Sequence, residues 1–366
     1  MLRDEQGFLY IHVDSEKCIN CDLCVRVCPV INPFPARVPH DVYAAKIKDT
    51  AISKKSSSGG AFYALASQVL NEGGVVFGAK YNSDWTVEHG YTESIEGLEL
   101  FMGSKYMQSV IGDSYSQAQR FLKANRKVLF SGTPCQIAGL KRFLRKEYGG
   151  VLLTVDVVCH GVPSPKIWEE YLAQILKSYD IKKSDLESLS FRDKSTGWND
   201  FSILLRSKRP FSKAGDGNEY ILLKEVHRRN AYMTAFLRNY NLRPSCFNCP
   251  FKCGKSSSDI TLGDFWGVRG FYRDFYSPDG VSVLLRYNDK IPISSNQLSL
   301  IESDYQKALC ANYCIAKSIK KPSGYSDFWN SYEEQGLSAL WELSKKVRPN
   351  IFVRGYYKLR NLIKGG

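Results

Sequence analysis

Eleven cysteines occur in a chain of 366 residues, and their spacing sets what they can do. Cys18, Cys21, Cys24 and Cys28 follow the pattern Cys-x2-Cys-x2-Cys-x3-Cys, with Pro29 directly behind. Three thiolates two residues apart can wrap one face of an iron–sulfur cubane, and a run ending in Cys-Pro is the bacterial ferredoxin pattern. In a two-cluster ferredoxin the fourth Cys of such a run serves the other cluster. Only one run is present here. The expectation is that a first motif lies ahead of this start, or that the cluster recruits Cys28 or a distant cysteine.

A second set depends on topology rather than on local spacing. Residues 127–130 form a short apolar strand, Ser131-Gly132-Thr133-Pro134-Cys135 a turn, 136–147 a helix and 151–158 a buried strand. In such a βαβ unit both strands end at one edge of the sheet, where ligands gather in open α/β folds. Cys135 follows the first strand and Cys159 the second. Neighbouring strands lie about 5 Å apart, so the two thiols can share one metal centre. The alternative is that both are buried apolar cysteines. Cys246-Phe247-Asn248-Cys249, with Cys253 beyond it, offers two further ligands and a spare. Zinc would accept the same four thiolates. Cys310 and Cys314, four apart, read as core residues on one helix face.

Ser56-Ser57-Ser58-Gly59-Gly60 lies between a strand and a helix start, where amides and hydroxyls suit an anion such as a flavin pyrophosphate. A capped helix with a flexible entry loop reads equally well. His12, His40, His89, His160 and His227 sit in no nucleophile motif. His160, beside Cys159, either tunes a redox group or fills a turn.

The elements that must position these groups follow from periodicity. Residues 42–47 and 75–79 read as strands, and Phe62, Leu65, Ala66, Val69 and Leu70 mark a helix between them. Ser164 caps a helix with Pro165 at its first position. Residues 281–287 read as a strand, and 206–218 as a solvated hairpin or insertion. The fold class expected is α+β / α/β, a mixed-sheet core with βαβ units behind a partial ferredoxin-like module. The boundaries are 1–35 for the module and 36–325 for the core, divided near 125. Residues 326–366 form a basic helical tail carrying Lys345, Lys346, Arg348, Arg354, Lys358, Arg360 and Lys364.

A hydrophobic content of 43% and a charged content of 24% suit a globular protein. No run approaches the roughly 18 apolar residues of a membrane helix. The start lacks a signal-peptide profile. The expectation is a cytoplasmic protein, in which clustered cysteines mean metal or redox work rather than disulfides. A net charge of +13 suits an acidic redox partner or an anionic small-molecule acceptor. The basic tail can lie on an anionic membrane or dock a partner. No zinc finger of standard length, recognition helix or RNA-binding aromatic motif is present, so nucleic acid is not expected.

With these residues in view, the chain resembles the coenzyme F420 hydrogenase/dehydrogenase beta-subunit family, its bacterial members in particular. The matching phrases include Cys18 to Asn32, Ser57 to Phe62, Gly103 to Ser109, Ser131 to Leu140, Cys159 to Ser164, Phe191 to Lys194, Cys246 to Lys255 and Ser258 to Gly267. The resemblance implies a 4Fe–4S cluster in the core on Cys135, Cys159, Cys246 and Cys249, beside FAD. It implies flavin contacts from Ser57, Ser58, Gly59, Gly60, Lys105, Tyr106, Gln108, Gly132 and Thr133. Asp264 sits near the flavin or anchors a strand end. A ferredoxin-like or hydrogenase/dehydrogenase partner would deliver electrons, and coenzyme F420 or another organic acceptor would receive them. The rivals are a non-catalytic electron-transfer subunit and a zinc-stapled binding module.

Overall fold

The structure, a computed structural model, describes residues 2–211 and 220–346. Residues 212–218 of the expected insertion lie outside the described residues, as do the tail residues Arg348, Arg354, Lys358, Arg360 and Lys364.

Two short strands, β1 (Leu2–Arg3) and β2 (Leu9–Tyr10), open the chain, and α1 (Leu23–Arg26) is a single turn in the cysteine-rich segment. β3 (Asp41–Ile47) leads through α2 (Thr50–Lys55) and α3 (Ala61–Asn71) to β4 (Val75–Tyr81), β5 (Val87–Thr92) and β6 (Ser109–Val110). α4 (Ser114–Lys123), β7 (Val128–Gly132), α5 (Pro134–Leu144), β8 (Leu152–Val157) and α6 (Pro165–Ser178) follow. Next come β9 (Leu186–Asp193), β10 (Ser202–Ser207), β11 (Tyr220–Val226) and α7 (Ala231–Leu237). β12 (Ile260–Asp264), α8 (Val268–Phe271), β13 (Ser282–Arg286) and β14 (Leu298–Ser303) precede three last helices: α9 (Tyr305–Ala311), α10 (Tyr325–Gln335) and α11 (Ser338–Lys346).

One nine-stranded sheet runs in the order β14-β3-β13-β12-β8-β7-β4-β5-β6. Its centre, β12-β8-β7-β4, is parallel, and antiparallel pairs flank it on both sides. The expected mixed sheet with βαβ units is therefore present. Val128, Leu129 and Phe130 of β7 are all buried, as a central strand covered on both faces requires. α5 starts where Thr133 and Gln136 form a capping box, the Thr133 amide donating to Gln136 Oε1 at 2.9 Å, and Pro134 takes the position that needs no donor. α6 starts at Ser164, whose Oγ accepts from the Ile167 amide.

A separate three-stranded sheet, β11-β10-β9, carries the largest core. Trp168, Tyr171, Phe191, Ile203, Tyr232 and Phe236 pack there, and Phe8 joins them, anchoring the β1–β2 ladder. Phe328, Trp329, Tyr332 and Leu340 enter the same core from α10 and α11. The segment expected as a tail thus begins with two helices built into the fold. Among the described residues, no helix is long and apolar enough to cross a membrane.

Candidate functional site

β7 and β8 are parallel neighbours, with Gly132 opposite Asp156, so their C-terminal ends leave the sheet side by side. Cys135 lies in the first turn of α5, and Cys159 follows β8 by two residues. The segment before Cys246 is laced to the segment after Cys159. Pro163 bridges Leu242, the Arg243 amide donates to Val162 O at 2.9 Å, and the Ser164 amide donates to Asn241 O at 2.8 Å. Gly161 passes so close that a Cβ there would stand 3.5 Å from the Cβ of Cys246. The turn Pro244–Asn248 then presents Cys246 and Cys249.

The four thiols come within electrostatic reach of one another: Cys159 feels Cys246, Cys135 and Cys249, and Cys246 feels Cys135 and Cys249. Burial pushes the Cys246 thiol up to about 11 and Cys159 further still, so a metal must displace protons to bind there. Cys135 is exposed as a residue, yet burial also raises the pKa of its thiol. Among the described residues no three His, Cys, Asp or Glu side chains are arranged to hold a single metal ion. Around one zinc, sulfurs stand about 3.8 Å apart. A cubane instead takes one thiolate at each of its corners. Four thiols from three segments make the all-thiolate donor set that a cubane takes, one at each corner.

Lys252 is a residue of the site that its sequence context does not announce. Its ammonium donates to Cys159 O at 2.6 Å and to Cys314 O at 2.9 Å, tying the third segment to the end of β8. Its place between Cys249 and Cys253 is the available signal. Arg243 is a second cation whose charge reaches Cys135 and Cys246, and its guanidinium packs 4.1 Å from the Tyr10 ring. Cys253 turns away, its thiol against Ala316 O at 3.3 Å. Cys314 is buried but Cys310 is exposed. The expected helical pair is broken because α9 stops at Ala311, so Cys310 is not a core residue. His160 fills its turn, bonded to Asn239 Oδ1 at 2.7 Å and packed edge-on against Phe236.

Cys18, Cys21 and Cys24 are exposed, and Cys28 is half-buried. Asn20 and Asp22 adopt left-handed backbone angles between them, which bends the loop around its thiols. Asn32 holds the turn by donating to Val25 O at 2.8 Å.

The Ser56–Gly60 loop meets β13. Ser58 Oγ donates to Val281 O at 3.1 Å, and the Gly59 amide donates to Ser282 Oγ at 3.0 Å. Gly59 has no room for a side chain: a Cβ would stand 2.3 Å from Ala45 O. Gly60, at φ +81°, enters α3 without a side-chain cap. Lys105 donates to Met102 O and Gly103 O over the face of Tyr81, and desolvation lowers its pKa to about 7. Tyr106 packs 4.6 Å from Phe236. Gln108 uses its amide on the Leu9 backbone in both directions, at 2.9 and 3.2 Å, and so holds β2 in place. Gly132 lies beside Gln136 and His89, and the Thr133 hydroxyl stands 3.1 Å from the Cys135 thiol. Asp264, ending β12, binds Arg192 and Trp198.

A family model that describes the C terminus of the coenzyme F420 hydrogenase/dehydrogenase beta subunit matches residues 125–297. Over these residues the chain is similar to the coenzyme F420 hydrogenase/dehydrogenase beta-subunit family. The beta-subunit match begins just before β7 and spans Cys135, Cys159, Cys246 and Cys249. A 4Fe–4S binding domain matches residues 11–30, which hold Cys18 to Cys28. The chain is thus an iron–sulfur protein of an oxidoreductase family. Among solved structures, the F420-reducing nickel–iron hydrogenase complex from Methanosarcina barkeri is similar over 76% of this chain and 90% of that one, at 18% identity and a TM-score of 0.48. No curated protein matches the chain.

Proposed function

We propose that the protein is an iron–sulfur flavoprotein that moves electrons between a ferredoxin-type or hydrogenase partner and an organic acceptor such as coenzyme F420. One 4Fe–4S cluster belongs on Cys135, Cys159, Cys246 and Cys249, a second on the Cys18–Cys28 run, and FAD against the loop Ser57–Gly60. The observation that carries the reading is the convergence of four thiols from three distant segments. A 4Fe–4S cluster supplies one-electron transfer and a flavin joins single electrons to two-electron chemistry on organic molecules.

The chain's own residues do the positioning. Lys252 fixes the backbone at Cys159, and its charge with that of Arg243 offsets the negative charge of four thiolates. Thr133 caps α5 and offers its hydroxyl to Cys135. The uncapped start of α3 after Gly60 leaves amides free for a phosphate. Lys105 and Gly132 both lie near His89, Tyr106 follows in the chain next to Lys105, and Gln108 acts by holding β2. The proposed setting is the cytoplasm, and the proposed alternative within the family is an electron-transfer subunit without turnover of its own.

An anaerobic visible spectrum with iron, zinc and flavin assays on one sample tests this. The expected result is flavin bands over a broad iron–sulfur shoulder with about eight irons per chain. A colourless chain that holds zinc, or that takes up neither iron nor flavin on reconstitution, overturns the reading.

A further inference from the structure

Arg192 is a buried cation that the electron path leaves without a task. Its side chain is 5% exposed and lies between the rings of Phe201, at 4.6 Å, and Trp266, at 5.4 Å. Nη1 donates to Asp264 Oδ2 at 2.5 Å, and Asp264 is steadied in turn by Trp198 Nε1 at 2.9 Å. Nε and Nη2 are sealed from solvent and meet no acceptor in full hydrogen-bond geometry among the described residues, the Tyr106 hydroxyl being the one polar neighbour that engages the guanidinium from this side. These two N–H groups point from the same edge of the guanidinium, the fork that grips a carboxylate or phosphate side-on. Buried donors are seldom left open in native proteins, and those on a charged group least of all. Asp264 occupies the other end of the guanidinium, so it aims the fork without filling it.

The surroundings suit an anion. The Tyr106 hydroxyl lies beside the guanidinium and beside Ser104. Ser104 Oγ donates to Ser57 Oγ at 2.9 Å, which leaves the Ser57 proton free to donate elsewhere. Lys194 is close enough to feel the charge of Arg192. Its ammonium fastens the serine loop by donating to Ser53 O at 2.6 Å and Ser58 O at 3.3 Å, and it also donates to Asp279 O. Two cations, three hydroxyls and the carboxylates of Asp264 and Asp279 therefore share one corner between β9, β12 and the loop.

We propose that the free edge of Arg192 is an oxyanion site, receiving two coplanar oxygens of a carboxylate or a phosphate, with the Tyr106 and Ser57 hydroxyls completing the arc. The site shares Ser57 and Tyr106 with the proposed flavin contacts and so rests on that placement of the loop, while binding of inorganic phosphate or succinate tests it separately from flavin content. It also gives the Phe191-Arg192-Asp193-Lys194 phrase a task.

The test is titration of the full chain with inorganic phosphate, succinate, FAD and riboflavin, on wild type and Arg192→Lys. Lysine keeps the charge beside Asp264 but loses the fork. The expected result is a roughly tenfold or greater loss of oxyanion affinity in the variant, because two charge-assisted bonds are replaced by one point charge. Phosphate and FAD responding, with riboflavin and succinate silent, identifies a nucleotide phosphate as the source. Succinate responding alone identifies a free carboxylate. If nucleotide copurifies, the expected result is roughly tenfold less of it on the variant. Should Arg192→Lys not fold, wild-type melting must rise with phosphate or succinate and not with chloride at equal ionic strength, and Tyr106→Phe must blunt that rise. Equal binding by wild type and Arg192→Lys, or no anion-specific response in wild type, overturns the proposal.

Discussion

The two groups of cysteines are built in opposite ways. The N-terminal run packs its four thiols into eleven residues, on a loop whose single helical turn buries nothing. Around it Ile11, Val13, Ile19, Val25, Val30 and Ile31 stand exposed, so the segment has no apolar core of its own. The core group draws Cys135, Cys159, Cys246 and Cys249 from across 115 residues and sets them on a sheet edge already fixed by β7, β8 and the lacing of 241–243 to 162–164. In the first case metal binding must supply the order, as in small metal-dependent domains. In the second the protein supplies the order, and the proposed cluster would only add to it.

Breaking one thiol in each group separates these cases most strongly. Cys159→Ser is expected to lower iron from about eight to about four per chain while the circular-dichroism spectrum stays as in wild type. Cys21→Ala is expected to remove the other four irons and to open residues 11–35 to limited proteolysis, with the melting temperature of the core nearly unchanged. If Cys159→Ser unfolds the chain, or Cys21→Ala leaves the arm as protease-resistant as before, the contrast is wrong.

The same contrast explains what is legible in the sequence. The proposed N-terminal ligands could be named from sequence because a loop of fixed spacing would itself be the site. The core pair Cys135 and Cys159 is legible because each follows an apolar run, and a βαβ unit returns both strand ends to one edge. Adding Cys246 and Cys249 rests on a CxxC with no obvious alternative use. Lys252 and Arg192 escape such reasoning, since their roles depend on backbone carbonyls and a carboxylate brought together by tertiary packing. Gln108 is expected as a cofactor contact, yet both ends of its amide meet Leu9, a partner ninety-nine residues away that spacing cannot reveal. α10 reads as tail because its polar face dominates the sequence, while Phe328, Trp329 and Tyr332 form a narrow aromatic stripe. Cys310 falls outside the core because the helix that would have paired it with Cys314 ends one residue later.

Two side chains sharpen the claim that the core site stands on a finished scaffold. Trp329 is 3% exposed within the aromatic core beneath α6, α7 and the β1–β2 ladder. Trp329→Ala should cost about 3–5 kcal/mol in denaturant unfolding. It should also loosen the start of the chain, because the ring packs on Phe8. Lys252→Met keeps the length of the side chain and removes two charge-assisted bonds, to Cys159 O and Cys314 O. The expected loss is about 2–3 kcal/mol. Iron should leave the core set faster than the N-terminal set when a chelator is added, and equal rates would deny Lys252 its positioning role.

Acid should also act on one region and spare the other. His89 is 7% exposed, its Nδ1 facing Ser109 Oγ at 2.5 Å and its Nε2 facing Ser131 O at 3.1 Å, where β5 and β7 approach each other across β4. Burial, with the positive charge of Lys105 nearby, lowers its pKa to about 4. The unfolded chain takes up the proton near pH 6.5, while the folded chain resists until about 4. The unfolded state therefore binds more protons throughout this window, and stability falls as pH drops through it. At pH 5 the loss relative to pH 7 should be about 2 kcal/mol from this group. His89→Gln keeps an acceptor for Ser109 and a donor for Ser131, so it should flatten the pH profile between 6.5 and 4. The protease sensitivity of residues 11–35 in iron-free protein should not follow that profile, because His89 acts through the sheet and not through the arm. A variant whose stability still falls as steeply as wild type between pH 6.5 and 5 would show that another buried group senses the acid.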